Sequence, residues 1–143
     1  MDLPKGLISP KQAKELNKQF VKTRSGELNK IVQKLDDNPE EKDALSTWFS
    51  LDEIKNYIAY VESKNANVNG LRVYYGSYSN KDIKSKKKNL STVFIVPTEP
   101  KDTSLQKCGN DDSDTDQGGS DITDIDALNN GTLGNPPSNE YPQ

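Results

Sequence analysis

Apolar positions in the first third of the chain recur at helical spacing. Ser9-Pro10 is a helix-start signal, a serine cap followed by proline at the first helical position. Ala13, Leu16 and Phe20 follow it, and Leu28, Ile31, Val32 and Leu35 resume the pattern after Gly26. The spacing predicts two helices, roughly 10–23 and 27–36, forming a hairpin or else one helix broken at Ser25-Gly26. Asp36-Asp37-Asn38-Pro39 ends the second. Residues 44–50 (ALSTWFS) read as a short strand. Ser50-Leu51-Asp52-Glu53 then has the capping-box form. Leu51, Ile54, Ile58 and Val61 share one face of the helix that follows, and Tyr57 and Tyr60 widen it.

Beyond the Asn69-Gly70 turn the period changes to two. Leu71, Val73 and Tyr75 face one way, Arg72 and Tyr74 the other. Leu90 to Val96 (LSTVFIV) is the strongest strand signal, and the polar loop SNKDIKSKKKN separates it from the preceding strand. Two strands joined by such a loop pair most simply as antiparallel neighbours. The expected fold is therefore α+β: N-terminal helices, then a β-α-β-β unit with a small, mostly antiparallel sheet, then a polar tail. Leu51, Ile54, Ile58, Val61, Val73, Phe94 and Val96 are the expected core.

Charge divides the chain more sharply than periodicity does. The 143 residues carry a formal net charge of −3, but residues 1–100 carry +4 and residues 101–143 carry −7. Of 44 apolar residues, 36 fall in the first 100. A segment as polar as the last 43 residues buries too little surface to offset its ordering entropy. The expected boundary lies at Pro97–Pro100, with residues 1–100 a small α+β domain and 101–143 an acidic Asp/Asn/Gly/Pro-rich tail, flexible unless bound. The absence of histidine and the single cysteine exclude histidine-based triads, histidine-ligated zinc or haem, and a disulfide framework within one chain. No apolar run approaches the ~18 residues of a membrane span. The opening MDLPKGLISPKQAKEL has no apolar signal-peptide core, so the expected compartment is the cytoplasm.

The most conspicuous charge cluster is Lys81, Lys84, Lys86, Lys87 and Lys88. A lysine-rich hairpin tip can contact phosphates or an anionic membrane, and Tyr74, Tyr75 and Tyr78 just before it can stack on bases. A solvated loop that keeps a sheet end from aggregating explains the same lysines. The adjacent pairs Trp48-Phe49 and Tyr74-Tyr75 must each place one ring on either face of a strand. If helices cover one face only, the other shows aromatics to a protein partner or to a second copy of the chain.

Other motifs carry less. Asp112, Asp114 and Asp116 alternate as in a calcium loop, yet Gln117 stands where the loop needs glycine and Thr123 where it needs glutamate. Cys108 has Lys107 beside it and no base. Asp52 and Glu53 suit the first turn of a capped helix better than hydrolysis. No catalytic residue, metal ligand or cofactor is expected.

The span WFSLDEIKNYI…NGLRVYYGSY…STVFIVPT, with the ending ALNNGTLGNPPSNEYPQ, resembles a group of small uncharacterised bacterial α+β proteins of no assigned function. The resemblance implies no activity or ligand, and it implies that the chain's end is a recurring feature. The expected function is a noncatalytic protein-interaction module with an unknown protein partner. The alternative is a nucleic-acid- or polyanion-associated protein that uses the lysine loop, with the acidic tail as an intramolecular competitor.

Overall fold

The computed structural model describes residues 3–81, 86–101, 118–134 and 136–143. It is an α+β protein. Helix α1 (Pro10–Phe20) passes through a π-helical turn (Val21–Ser25) into α2 (Gly26–Asp36). Strand β1 (Thr47–Trp48), helix α3 (Leu51–Lys64), β2 (Gly70–Ser77), β3 (Ser91–Glu99), β4 (Ser120–Asp121) and β5 (Thr132–Leu133) follow. No described helix is long and apolar enough to cross a membrane.

Of the two alternatives, the N-terminal region takes the single helical run and not the hairpin. Ser9 and Pro10 start it as the sequence indicates: the Ser9 hydroxyl accepts from Gln12 N–H at 3.2 Å, and the Gln12 side chain accepts from Ser9 N–H at 2.8 Å. Gly26 does not break the helix, because its backbone sits in the right-handed region (φ −61°, ψ −39°). The irregularity falls just before it. There the Thr23 hydroxyl donates back to the Gln19 carbonyl at 2.7 Å, a bond that loosens a helical ladder. Asp37, with φ at +50°, ends α2.

The strands do not form the single β-α-β-β sheet expected. They make a two-stranded sheet, β1-β5, and a three-stranded one, β2-β3-β4. In the first, Thr47 pairs with Leu133 and Trp48 with Thr132, antiparallel; in the second, β4 pairs antiparallel with β3 through Thr98–Asp121 and Glu99–Ser120. The expected strand over 44–50 shrinks to two residues, since Asp43 and Ala44 are drawn into a core instead. Pro97 does not end β3. It is fully buried inside the strand, and its carbonyl accepts the Ile122 N–H at 3.0 Å.

Two compact units result. The first comprises Met1–Trp48, Ser77–Thr92 and Thr132–Gln143, the second Phe49–Gly76 and Val93–Gly131. Each draws on residues from both sides of position 100. Residues 102–117, within the segment expected as an acidic tail, lie outside the described ones. Val32, Ala44, Leu90 and Leu133 form the first unit's core, with Tyr78 against it. Tyr57, Val61 and Ile95 form the second's, flanked by Phe49, Ile54, Tyr60, Val68, Ile125 and Leu128.

The second core departs from the expected set. Val61 is 1% exposed, but Ile58 is 37% exposed, and Leu51 and Val73 also face solvent. The arc of apolar residues on α3 is wide, and Tyr57 decides its rotation. The Tyr57 hydroxyl lies 3.0 Å from the carbonyls of both Ile95 and Asp126, a pairing that Ile58 cannot make. Ile95→Ala is therefore expected to cost about 2–5 kcal/mol of unfolding free energy. Ile58→Ala should cost about 1 kcal/mol or less. Urea denaturation of the two variants checks the assignment.

Candidate interaction surface

Strand β2 presents two unlike faces. Arg72 and Tyr74 point to one of them, where Asp121 on β4 collects both. The Arg72 guanidinium donates to one Asp121 oxygen and the Tyr74 hydroxyl to the other. Arg72 also donates to the Gly119 carbonyl at 2.6 Å. The Tyr74 ring stacks on Phe94 of β3, centroids 5.3 Å apart. The Tyr74 hydroxyl and the Asp121 charge hold the guanidinium above its usual, already high pKa, so it stays protonated. The arrangement fixes the strand's only charge in a neutral pair. Beside it is a depression of about 380 Å³ lined by residues 69–73, Leu71 and Val73 among them, with Thr98, Gly118 and Gly119. A Cβ on Gly119 would fall 2.3 Å from the Glu99 carbonyl oxygen, which explains glycine where β4 starts.

The other face of β2 is apolar and open. Leu71 is 37% exposed, Val73 57% and Tyr75 89%. Among the described residues β2 has a strand neighbour on one side only. The alternation of these residues was legible in the sequence; the openness of Val73 was not. Asp121 was missed altogether, since nothing in its polar surroundings signals a partner on β2.

The lysine and tyrosine residues singled out from sequence do not behave as one group. Lys81 and Lys86 are exposed. Lys87 lies over the Tyr78 ring, 5.6 Å from its centroid, and Lys88 lies 3.3 Å from Asp36. Asn89, with φ at +62°, turns the chain at the base of this loop, and its side chain donates to the same Asp36 at 2.6 Å. The Tyr78 N–H donates to the Leu90 carbonyl at 3.0 Å, and the Tyr78 ring packs on the first core. Tyr74 is occupied by Asp121 and Phe94, whereas Tyr75 stands open. Tyr74 and Tyr75 belong to the second unit; Tyr78, Lys81, Lys86, Lys87 and Lys88 belong to the first. Lys84, Cys108 and the acidic run Asp112–Asp116 lie outside the described residues.

A second depression, about 510 Å³, lies at the start of α3, lined by Ser50, Asp52, Glu53, Asn56, Tyr57, Tyr60 and Leu128. The Ser50 hydroxyl accepts the Glu53 N–H at 3.0 Å, so Asp52 and Glu53 occupy the first turn of a capped helix, as their spacing suggests. The Tyr60 hydroxyl is 3.3 Å from the Asp126 carboxylate. Burial raises the pKa of the Tyr57 hydroxyl, which keeps it a hydrogen-bond donor rather than a titrating group.

Compared with models of known protein families, with curated proteins and with solved structures, the chain matches none of them.

Proposed function

We propose that the chain is a noncatalytic protein-interaction module of the cytoplasm that engages its partner through the open face and edge of β2. The observation that carries this reading is the stripe Leu71, Val73 and Tyr75. Three apolar side chains stand in water on a strand that has a strand neighbour on one side only among the described residues. Natural edge strands are commonly guarded by lysine, proline or a bulge. Strand β2 (GLRVYYGS) has no lysine or proline, and its arginine is neutralised by Asp121. Such a strand is a template for strand addition, in which backbone hydrogen bonds give affinity and alternate side chains give specificity.

The reading is tested by affinity capture from cell extract with mass spectrometry. Val73→Glu is expected to remove the partners that the native chain retains, while Lys81→Ser with Lys86→Ser leaves them in place. The opposite pattern overturns it.

The polyanion reading keeps one observation in its favour, the exposed Lys81 and Lys86. Lys88 spends its charge on Asp36, and Asp121, counted with the acidic tail, is taken by Arg72 and Tyr74. Both facts weaken a contest between tail and loop. Electrophoretic mobility of DNA and RNA at several salt concentrations separates the two readings.

A further inference from the structure

We infer that the partner of β2 is a second copy of this chain, paired antiparallel and edge to edge about a twofold axis through Val73. The inference rests on the protein-interaction reading and names its partner. The axis places Val73 opposite Val73 of the second copy, Leu71 opposite Tyr75, Arg72 opposite Tyr74, and Gly70 opposite Gly76. Every open apolar residue then meets another one across the new ladder. Each end of the paired segment brings glycine against glycine.

Charge selects this register over its neighbours. Directly opposed residues in an antiparallel pair share a face, so the axis passes through a residue and moves in whole-residue steps. An axis through Arg72 sets guanidinium against guanidinium at the centre, and like charges directly opposite are unfavourable. An axis through Tyr74 leaves Leu71 facing Ser77. With the axis at Val73, Arg72 meets the Tyr74 ring, which suits a cation, and its own Asp121 already balances its charge. The pairing joins two β2-β3-β4 sheets into one, on the side of β2 that has no strand neighbour among the described residues. Such a contact is isologous, the commonest form of dimer symmetry.

Sedimentation equilibrium on the full chain tests it. The native protein is expected at twice its 15.9 kDa chain mass. Val73→Lys and Val73→Glu place like charges face to face at the axis, and each alone should weaken self-association by roughly a hundredfold or more. Mixing the two variants in equal amounts should restore the dimer, because lysine then faces glutamate. Val73 is open to solvent, so both variants should retain the native circular dichroism. Cross-linking reads the register separately, in a Cys108→Ser background. Val73→Cys should oxidise to a covalent dimer on its own. Leu71→Cys should do so only when mixed with Tyr75→Cys.

Three results would overturn the inference. One is a native chain that sediments as a monomer up to about 1 mM, the weak end of measurable affinities. Another is a dimer indifferent to Val73→Lys. The third is a Leu71→Cys variant that cross-links to itself as readily as Val73→Cys. A monomeric chain whose partner capture is still lost in Val73→Glu overturns the self-pairing alone. A monomeric chain whose capture is unchanged overturns the interaction reading as well.

Discussion

A chain ending at Pro100 is expected to lose its cooperative unfolding transition. From the first unit, the deletion takes Leu133, which packs with Val32, Ala44 and Leu90, and the whole of β5, the partner of β1. The backbone bond from Leu45 N–H to the Pro137 carbonyl (3.0 Å) goes with them. From the second it takes buried Ile122 and half-buried Leu128, and Leu128 exchanges two backbone bonds of 2.9 Å with Ile95. It also removes Asp126, one of two carbonyl acceptors for Tyr57, and Asp121, which neutralises Arg72. Losing a buried leucine or isoleucine costs about 2–5 kcal/mol each. Whole domains are stable by only about 5–15 kcal/mol, so these losses together exhaust the reserve. Thermal circular dichroism on the shortened and full chains measures it. A sharp transition at an unchanged midpoint in the shortened chain would show that residues 101–143 ride on a self-sufficient domain, as their composition alone suggests.

That contrast shows where sequence reading reached its limit. Local signals were legible because their physics is local. Ser9-Pro10 and Ser50…Glu53 cap their helices with bonds between residues three apart, and such spacing is visible in the chain itself. The alternation Leu71, Val73, Tyr75 against Arg72, Tyr74 follows from strand geometry, and the two faces of β2 do differ in that way. Strands β4 and β5 were not legible. Each is two residues long, and its order comes from what β3 and β1 offer across space. Ile122 and Leu133 are lone apolar residues among polar ones, and Leu128 has only Ala127 beside it, so composition counted them as too few to pack. On α3 both Tyr57 and Ile58 fitted the apolar arc, and distant carbonyls at Ile95 and Asp126 chose between them. The candidate surface was half legible for the same reason. Periodicity gave the members of the stripe, but its exposure is set by what packs on β2 across space.

Asp43→Ala should destabilise the first unit by about 3 kcal/mol, a loss no pattern in Lys42-Asp43-Ala44 foretells. Asp43 is 2% exposed. One carboxylate oxygen accepts from Ala44 N–H at 2.8 Å and from Ser91 N–H at 2.6 Å, and the other accepts from the Ser91 hydroxyl. The residue's own N–H donates to the Asn29 side chain at 2.9 Å. A single side chain thus ties the segment before β1 to the first residue of β3, while its backbone is held by α2. Alanine keeps the backbone bond and removes the acceptor for three donors. Each buried donor left without a partner costs about 1–3 kcal/mol, offset in part because no carboxylate need then be desolvated. Asparagine separates the contributions. Its carbonyl oxygen can still serve both N–H groups, and the Ser91 hydroxyl can turn from donor to acceptor for its amide. Asp43→Asn should therefore cost only about 1 kcal/mol, chiefly the strength that charge lends to the three bonds. Urea midpoints at unchanged slope give both numbers. Equal losses for alanine and asparagine would assign the stabilisation to the negative charge itself. A loss under about 1 kcal/mol for alanine would mean that water enters the site and takes over the three donors.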